Sequence, residues 1–399
     1  MENIVLVSGV RTAVGKFGGS LKDFEASDLG GIVVKEAVNR AGVKPEDIDE
    51  VIMGCVATAA ENAFMARLCS IKAGIPVEAG ALTVNRLCAS GLQAIVTAAM
   101  EVQCGFADIV AAGGAESMTN IPFYLRQARF GYRMGNGQLE DGLITALSDP
   151  FTKNHMGITA ENIARKYNLS REEQDNYAAR SQQNAQAARD AGKFKGEIIP
   201  VEVKVGKKET AIFDTDEFIR DNMTVDTLSK LKPCFTKDID GNATTCTVTA
   251  GNASGINDCG AAVIVMREDE AKKRGIKPLV RIVDAAVAGV EPCLMGTGPI
   301  PATRKLFKKT GLSADDIGLF ELNEAFAAQA LACVRELGLD LDRVNVNGSG
   351  ISIGHPIGAT GAMITIKLMN EMIRRNEKYG IASLCIGGGQ GLSVLFELC

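Results

Sequence analysis

The fold of this chain is decided by the sequence GVKPEDIDEVIMG at residues 42–54, because the chain repeats its pattern as GLSADDIGLFELN at residues 311–323. Each copy has a glycine that ends a helix-like run, a short acidic loop and an apolar strand-like run. The two copies lie 269 residues apart. A correspondence that recurs at one fixed spacing indicates an internal duplication.

The duplication extends beyond these two stretches. Residues 107–114 (ADIVAAGG) resemble residues 380–388 (GIASLCIGG), and the glycine turn of the second copy runs directly into a strand at residues 391–397. The corresponding strand of the first copy comes only at residues 260–266. We therefore predict that the intervening residues are a polar, partly helical insertion, with a capping box at residues 170–173 (SREE).

Strand-like and helix-like runs alternate in both halves, which favours a layered α/β fold with mixed sheets and covering helices. We expect two stacked halves related by a pseudo-twofold axis, with a site where their turns converge. Ser27 and Asp28 are expected to cap the first helix. The expected domains are a first half at 1–118 with 250–272, an inserted loop domain at 119–249 and a second half at 273–399.

The composition indicates a globular protein, since 46% of its 399 residues are hydrophobic and its formal net charge is -5. An acidic chain without a strong basic cluster offers no electrostatic footprint for nucleic acid. No apolar run is long enough to cross a membrane, and the N-terminal residues do not resemble a signal peptide. We therefore expect a cytoplasmic protein without nucleic-acid or membrane partners.

The numbers and spacing of cysteine and histidine limit which kinds of site this chain can form. The 11 cysteines have irregular spacing and no C-x-x-C pair, so that neither a disulfide framework nor a zinc site is indicated. A reducing compartment fits this pattern best. The chain has 2 histidines, and any imidazole base must be His155 or His355.

Cys88 is a candidate nucleophile in the sequence NRLCASGLQA at residues 85–94, between a strand-like and a helix-like run. Its place at a helix start is expected to favour the thiolate. The alternative is a core cysteine at a tight turn. The spacing of the duplication places Cys88 opposite position 357, beside His355 in the glycine-rich turn GHPIGATG, so that the thiol and the imidazole would occupy equivalent turns.

Cys385 is a second candidate thiol, at the end of a strand in the sequence LCIGGGQG. The glycine run has neither the spacing of a P-loop nor the following helix of a Rossmann turn, but its backbone N–H groups are free to bind an anion. Two thiols and one imidazole at one site suggest a nucleophile and a separate acid or base. Carbon–carbon bond formation by acyl transfer requires that combination.

Five stretches of the sequence together resemble the thiolases: NRLCASGLQA at 85–94, TAGNASG at 249–255, NEAFA at 323–327, GHPIG at 354–358 and CIGGGQG at 385–391. The resemblance implies that Cys88 carries the acyl group, that His355 accepts the proton of Cys88, and that Cys385 removes the α-proton of the second acetyl-CoA. It also implies two oxyanion holes. His355 and a water held by Asn323 would form one, and the N–H groups of Cys88 and Gly387 the other. No metal and no permanently bound cofactor is implied.

The resemblance further assigns contacts to coenzyme A and to the acyl group. The implied coenzyme A contacts are Ser254, Arg220, Thr227, His155 and Leu147, and the implied substrate pocket consists of Met156, Phe235, Met295, Ala325 and Phe326. Two of these positions have simpler explanations. Ser254 is also explained as a turn hydroxyl that bonds local backbone, and Arg220 as an exposed charge.

Local sequences favour one branch of the family. HMGITAEN at 155–162 and RMG at 133–135 resemble the short-chain, tetrameric thiolases. The resemblance therefore implies an acetyl-CoA C-acetyltransferase that forms acetoacetyl-CoA from two acetyl-CoA, as a homotetramer. The alternatives are a degradative 3-ketoacyl-CoA thiolase and a catalytically silent protein that binds acyl-CoA. Ala89 and the turn at Ser349 and Gly350 depart from the family pattern beside the site.

Overall fold

The computed structural model describes residues 3–206 and 208–399. Its strands are β1 (Ile4–Thr12), β2 (Gly15–Lys16), β3 (Glu50–Gly54), β4 (Gly80–Val84), β5 (Ile109–Ser117), β6 (Phe123–Tyr124), β7 (Glu140–Asp141), β8 (Ile198–Ile199), β9 (Val201–Lys204), β10 (Thr210–Phe213), β11 (Asn257–Arg267), β12 (Val280–Gly289), β13 (Leu319–Leu322), β14 (Tyr379–Ile386) and β15 (Gln390–Leu398). Its α-helices are α1 (Ala26–Ala41), α2 (Met65–Ala73), α3 (Ser90–Gln103), α4 (Gly142–Ala146), α5 (Met156–Lys166), α6 (Arg171–Asp190), α7 (Val225–Ser229), α8 (Glu268–Lys273), α9 (Pro299–Thr310), α10 (Ala327–Leu337) and α11 (Thr360–Arg375).

The main sheet has the strand order β13-β14-β15-β12-β1-β11-β5-β3-β4. Read outward from the centre, β1, β11, β5 and β3 of the first half correspond to β12, β15, β14 and β13 of the second, with the same pairing senses. The halves meet where β1 pairs antiparallel with β12. The predicted α/β class with mixed sheets and duplicated halves is therefore confirmed.

Helices α3 and α11 form the central layer of the molecule. Helix α11 packs against α3 and against strands of both halves, including β14, β13 and β11. Most residues of α11 are buried, whereas a helix at the surface of a protein buries only one apolar face. Helices α1 and α2 cover the first half on its outer side, and α9 and α10 cover the second.

The starts of the two central helices touch through their backbones. A Cβ atom on Gly91 would lie 2.8 Å from the backbone nitrogen of Ala362, and one on Gly361 would overlap the backbone nitrogen of Leu92. Glycine is needed at both positions because no side chain fits between the helices. This contact brings the turns that precede α3 and α11 together.

The long interval of the first half lies between β5 and β11, whereas β14 and β15 of the second half are joined directly. Arg11 anchors this interval to β1. Its fully buried guanidinium forms ion pairs of 2.9 Å with Glu197 and 2.7 Å with Asp216. The domain boundaries expected from the sequence stay a prediction.

Two predicted helix caps have different outcomes. The capping box at Ser170 is confirmed, since the Glu173 N–H donates to the Ser170 hydroxyl at 3.1 Å and the Ser170 N–H donates to the Glu173 carboxylate. The cap at Ser27 and Asp28 is wrong by two to three residues. Helix α1 begins earlier, and the carboxylate of Asp28 instead accepts the N–H of Glu25, the cap residue.

Within residues 3–206 and 208–399, no helix has both the length and the apolar character that spanning a membrane requires.

We predict that Gly361→Ala destabilises the fold by about 1–3 kcal/mol, because the added methyl group must push α3 and α11 apart. The free energy of unfolding is measured in urea by circular dichroism, and thiol reactivity of Cys88 reports the displaced turn. Gly196→Ala is the matched control, since Gly196 is exposed and its Cβ would meet open space. Equal stability of the two variants would contradict the prediction.

Candidate active site

A cavity of about 250 Å³ opens where the two halves and the inserted segment meet. Its walls are mainly apolar. It is lined by most of the residues that the sequence singled out: Cys88, His355, Cys385, Gly387, Ser254, His155, Leu147, Met156, Phe235, Met295, Ala325 and Phe326. These residues come from positions between 88 and 387, so that only the folded chain brings them together.

The topology explains why the reactive groups meet. Cys88 follows the carboxyl end of β4, Asn323 follows that of β13, and Cys385 lies near the end of β14. Strands β3, β4 and β5 are parallel to one another, as are β13 and β14. In α/β folds the carboxyl ends of parallel strands are where sites form.

The turn before α3 holds Cys88 in a constrained position. Leu87 has a φ of 47°, a left-handed conformation that disfavours residues with a side chain. The Ser90 hydroxyl stabilises this turn, because it accepts the N–H of Arg86 at 2.9 Å and donates to the carbonyl of Leu87 at 2.6 Å. The constrained turn directs the thiol into the cavity, where Cys88 is half-buried.

Burial raises the pKa of the Cys88 thiol to about 11. The backbone N–H groups of Gly387 and of Cys88 itself lower the pKa of the thiol, but they do not outweigh desolvation. The expectation that the helix start would favour the thiolate is therefore wrong for the resting state. Cys88 is therefore a neutral thiol at pH 7, and a base would have to remove its proton before it could act as a nucleophile.

His355 is buried beside Thr360. The Nδ1 atom lies 2.7 Å from the Thr360 hydroxyl, which also lies 2.8 Å from the carbonyl of Pro356. When that hydroxyl donates to Pro356, Nδ1 carries the proton and Nε2 is the basic atom. When the hydroxyl turns to Nδ1, Nε2 carries the proton. Burial lowers the pKa of His355 to about 4, so that the ring is neutral at pH 7.

The turn that carries His355 rests on β5. A Cβ on Gly114 would overlap the carbonyl oxygen of Gly358, and the buried carboxylate of Glu116 lies where a Cβ on Gly358 would be. Glu116 also accepts the N–H of Val56 at 2.9 Å and of Ala57 at 3.1 Å. One carboxylate therefore ties the histidine turn to the loop after β3.

Asn323 is fully buried next to His355, with its Nδ2 atom 3.4 Å from each ring nitrogen. Its Oδ1 atom has no hydrogen-bond partner among the described residues. Since a buried amide oxygen is costly to leave unpaired, this atom is suited to hold a water or a substrate group. Asn323 does not itself line the cavity and lies behind His355.

A buried network fixes the backbone around Asn323. The carboxylate of Glu324 accepts hydrogen bonds from Ser181 at 2.6 Å, from Asn345 at 2.9 Å and from Tyr177 at 3.1 Å. Ser352 extends the network, because its hydroxyl lies 2.9 Å from that of Ser181. The turn at residues 349–352, which precedes His355, is thus bonded to helix α6 of the inserted segment.

Gly350 of the same turn leaves no space for a side chain. A Cβ on Gly350 would lie 2.6 Å from the carbonyl oxygen of Glu324 and 2.8 Å from the Oδ1 atom of Asn323. The turn therefore passes directly against the backbone that carries the buried amide.

Cys385 is almost fully buried, at 1% exposure. Burial raises the pKa of its thiol well above the usual value, and the nearby Cys88 raises it further. Both thiols and the imidazole are therefore uncharged at rest.

His155 caps helix α5 at the opposite wall of the cavity. Its Nδ1 atom accepts the N–H of Gly157 at 3.1 Å, and its ring centroid lies 5.6 Å from that of Phe235. Burial lowers the pKa of His155. The ring is therefore a neutral wall with a fixed tautomer, since Nε2 must carry the proton.

Ser254 donates its backbone N–H to the carbonyl of Ala325 at 2.9 Å. Its hydroxyl has no bonding partner among the described residues, although it lies at the cavity wall. The simpler explanation as a hydroxyl that bonds local backbone is therefore not what the structure has.

Two expected coenzyme A contacts lie outside the cavity walls. Arg220 is half-buried, with its guanidinium 5.2 Å from the ring of Phe218, and that ring packs where a side chain on Gly255 would be. Thr227 is exposed in α7, with its hydroxyl 3.0 Å from that of Thr224. Arg220 is therefore connected to the cavity through Phe218, and Thr227 is not in contact with it.

Sequence reasoning missed Val56, Met118 and Ala146 of the cavity wall, and the contact of Thr360 with His355. Val56 and Met118 could have been found, because they follow the carboxyl ends of the parallel strands β3 and β5. Ala146 lies in the insertion, where the duplication offers no equivalent position.

Comparisons with known proteins agree with this geometry. A family model described as thiolase, N-terminal domain, matches residues 4–269, and one described as thiolase, C-terminal domain, matches residues 276–398. The chain is 50% identical to beta-ketothiolase BktB of Cupriavidus necator over 397 residues, which cover 99% of both chains.

Solved structures are similarly close. The acetyl-CoA acetyltransferase of Bacillus anthracis has a TM-score of 0.96 and 45% identity, with 100% of this chain and 99% of that chain covered. Human mitochondrial 3-ketoacyl-CoA thiolase in complex with CoA has a TM-score of 0.94 and 44% identity, with 100% and 98% covered.

We predict that alkylation of Cys88 by iodoacetamide accelerates about tenfold per pH unit from pH 7 to 9, without a plateau, because a pKa near 11 leaves little thiolate in that range. The rate is measured by mass spectrometry of the peptide that contains Cys88, and Cys88→Ser gives the background. A rate that levels off between pH 6 and 8 would instead indicate a stable thiolate.

Proposed function

Since this chain belongs to the thiolase family, we propose that it catalyses the reversible condensation of two acetyl-CoA molecules to acetoacetyl-CoA and coenzyme A. It is an acyltransferase, and coenzyme A enters as part of its substrates. The observation that carries the proposal is the meeting of two thiols and one imidazole in one apolar cavity that Gly387 also lines, where its backbone N–H lowers the pKa of the Cys88 thiol.

The first half-reaction transfers an acetyl group to Cys88. His355 takes the proton of Cys88 at Nε2, and the thiolate attacks the carbonyl carbon of acetyl-CoA. The N–H groups of Cys88 and Gly387, which lower the pKa of the thiol at rest, stabilise the negative charge on the carbonyl oxygen. The coenzyme A thiolate leaves and takes the proton from His355.

The second half-reaction forms the carbon–carbon bond. Cys385 passes its proton to His355 and then removes the α-proton of the second acetyl-CoA. The Nε2–H of the charged imidazole and a water on Asn323 stabilise the enolate oxygen. The enolate carbon attacks the acetyl thioester, the sulfur of Cys88 leaves, and His355 returns the proton to it. All three groups end neutral, as they began.

The cavity walls support a division of the substrate contacts. We assign the pantetheine arm to His155, Leu147 and Ser254, and the nucleotide end to Arg220 and Thr227 outside the cavity. The acetyl groups contact Met156, Phe235, Met295, Ala325 and Phe326. A neutral His155 and an unpaired Ser254 hydroxyl suit an uncharged amide-bearing arm.

Exposed apolar side chains support an assembly of several copies. Phe64, Val77 and Met100 are 67%, 66% and 60% exposed near the edge strand β4, and Phe130 and Met134 are 91% and 98% exposed in the insertion. Large exposed apolar side chains and an open sheet edge are typical of interfaces. We propose a homotetramer built as a dimer of dimers, with β4 at one contact and residues 123–139 at the other.

A cytoplasmic location is part of the proposal, because all 11 cysteines are free.

We predict that wild-type protein incubated with radioactive acetyl-CoA carries the label on Cys88 and forms acetoacetyl-CoA. Cys88→Ser loses both, with a fall in activity of at least about 1,000-fold, because a serine hydroxyl is a far weaker nucleophile than a thiol. Cys385→Ser keeps the label and loses condensation, since acylation does not use Cys385. A protein that only binds acyl-CoA would show affinity without label.

We predict that wild-type protein sediments as a tetramer and that Phe130→Ser combined with Met134→Ser yields dimers with unchanged acetoacetyl-CoA thiolysis. The mass is measured by analytical ultracentrifugation. Ile373→Ser is the control, because Ile373 is an exposed residue of α11 outside both patches. A tetrameric double variant would contradict the assignment of this contact.

A further inference from the structure

A chain of buried hydroxyl groups joins helix α6 to the turn at residues 349–352. Ser181, in α6, donates to the carboxylate of Glu324 at 2.6 Å. Its single proton is used there, so the contact of 2.9 Å between the hydroxyls of Ser352 and Ser181 requires Ser352 to be the donor. The Ser352 oxygen in turn accepts the N–H of Ser349 at 3.1 Å. These bonds, which we call the hydroxyl chain, all run toward the carboxylate.

The carboxylate of Glu324 is surrounded by donors. It accepts the backbone N–H of Ile351 at 3.3 Å and the side chains of Asn345 and Tyr177 at 2.9 Å and 3.1 Å, besides the hydroxyl of Ser181. A charged carboxylate is an acceptor only, and donors on every side satisfy it. The turn is thus bonded to Glu324 at two points, directly by Ile351 and through the hydroxyl chain.

The same turn lies against the side chain of Asn323. A Cβ on Gly350 would be 2.8 Å from the Oδ1 atom of Asn323. That amide has weak bonds of its own, because its Oδ1 is unpaired among the described residues and its Nδ2 lies 3.4 Å from each ring nitrogen of His355. Its orientation therefore depends on the position of the turn that packs against it.

We propose that Ser352 and Ser181 are positioning residues that fix the amide of Asn323 for the step that forms the carbon–carbon bond. The inference rests on the proposed function, in which a water on Asn323 stabilises the enolate oxygen. Hydroxyls that point in sequence toward a charged carboxylate polarise one another, so that the chain acts as a unit. Loss of either hydroxyl releases the turn and, with it, the amide.

His355 is held by bonds that do not involve the hydroxyl chain. Its backbone N–H donates to the Oδ1 atom of Asn257 at 3.0 Å, and its ring lies 2.7 Å from the hydroxyl of Thr360. In the proposed mechanism, acetylation of Cys88 uses His355 and does not use Asn323. A displaced turn should therefore slow the condensation step and spare the acetylation step.

The experiment measures the two steps separately in purified full-length protein, with Ser352→Ala, Ser181→Ala and the double variant. Rapid quenching after mixing with radioactive acetyl-CoA gives the rate at which Cys88 is labelled, and steady-state formation of acetoacetyl-CoA gives kcat for condensation. We expect labelling within about twofold of wild type and a fall in kcat of at least about tenfold, which is part of what removal of an oxyanion donor costs.

The double variant tests whether the two serines act together. Since both belong to one chain of bonds, we expect its kcat to lie within about twofold of the slower single variant.

Ser349→Ala is the control from the same turn. Ser349 is as fully buried as Ser352, but its hydroxyl has no hydrogen-bond partner among the described residues, and the variant keeps the N–H that enters the hydroxyl chain. We expect both rates to stay within about twofold of wild type.

Three results would overturn the inference. Equal losses in labelling and condensation would show a general disturbance of the site, and unchanged condensation in both single variants would show that the hydroxyls do not position Asn323. A double variant whose loss is the product of the single losses would show that the serines act independently. Failure of the proposed function gives another pattern, because wild-type protein would then neither label Cys88 nor form acetoacetyl-CoA.

Discussion

The backbone contact between the starts of α3 and α11 is the constraint on which the site depends. Gly91 and Gly361 allow two helices from opposite halves to approach more closely than any side chain permits. The turns before these helices carry Cys88 and His355, and the strands on either side follow the same pairing order. The proposed catalytic groups therefore need no dedicated scaffold, because the packing that joins the halves also brings Cys88 close to the imidazole proposed as its base.

An apolar cavity determines how these groups can react. Desolvation disfavours every charged form, so it raises the pKa of both thiols and lowers that of the imidazole. The two thiols and the imidazole consequently carry no charge at rest that would need a buried counter-ion. In the proposed mechanism protons pass among these three groups in turn, and N–H donors share the negative charge that develops on the reacting oxygen.

The fold could be predicted from the sequence because the pattern at residues 42–54 recurs at residues 311–323, and each copy supports the assignment of the other. The stretch at residues 42–54 alone indicates a turn and a strand, whereas its copy reveals which strands must be equivalent. The state of Cys88 was not predictable in this way. A helix start is a local feature, but desolvation comes from residues such as Met156 and Met295 that lie far away in the chain. The contribution of Ala146 to the cavity wall could not be predicted either, and neither could the positions of Arg220 and Thr227 outside the cavity. The insertion has no second copy in the chain with which its residues could be aligned.

The connection that follows β5 is long, whereas the equivalent connection after β14 is a tight turn. This difference has an evolutionary consequence. In one half the chain returns at once, and that tight turn places the Gly387 amide where it lowers the pKa of the Cys88 thiol. In the other half the same connection has grown into a long segment that contributes His155, Met156 and Ala146 to the walls. Under the proposed function, one of these two equivalent connections supplies an amide to the reacting oxygen and the other lines the substrate cavity, so that mutations in the long segment can alter which substrates bind without changing the groups that react.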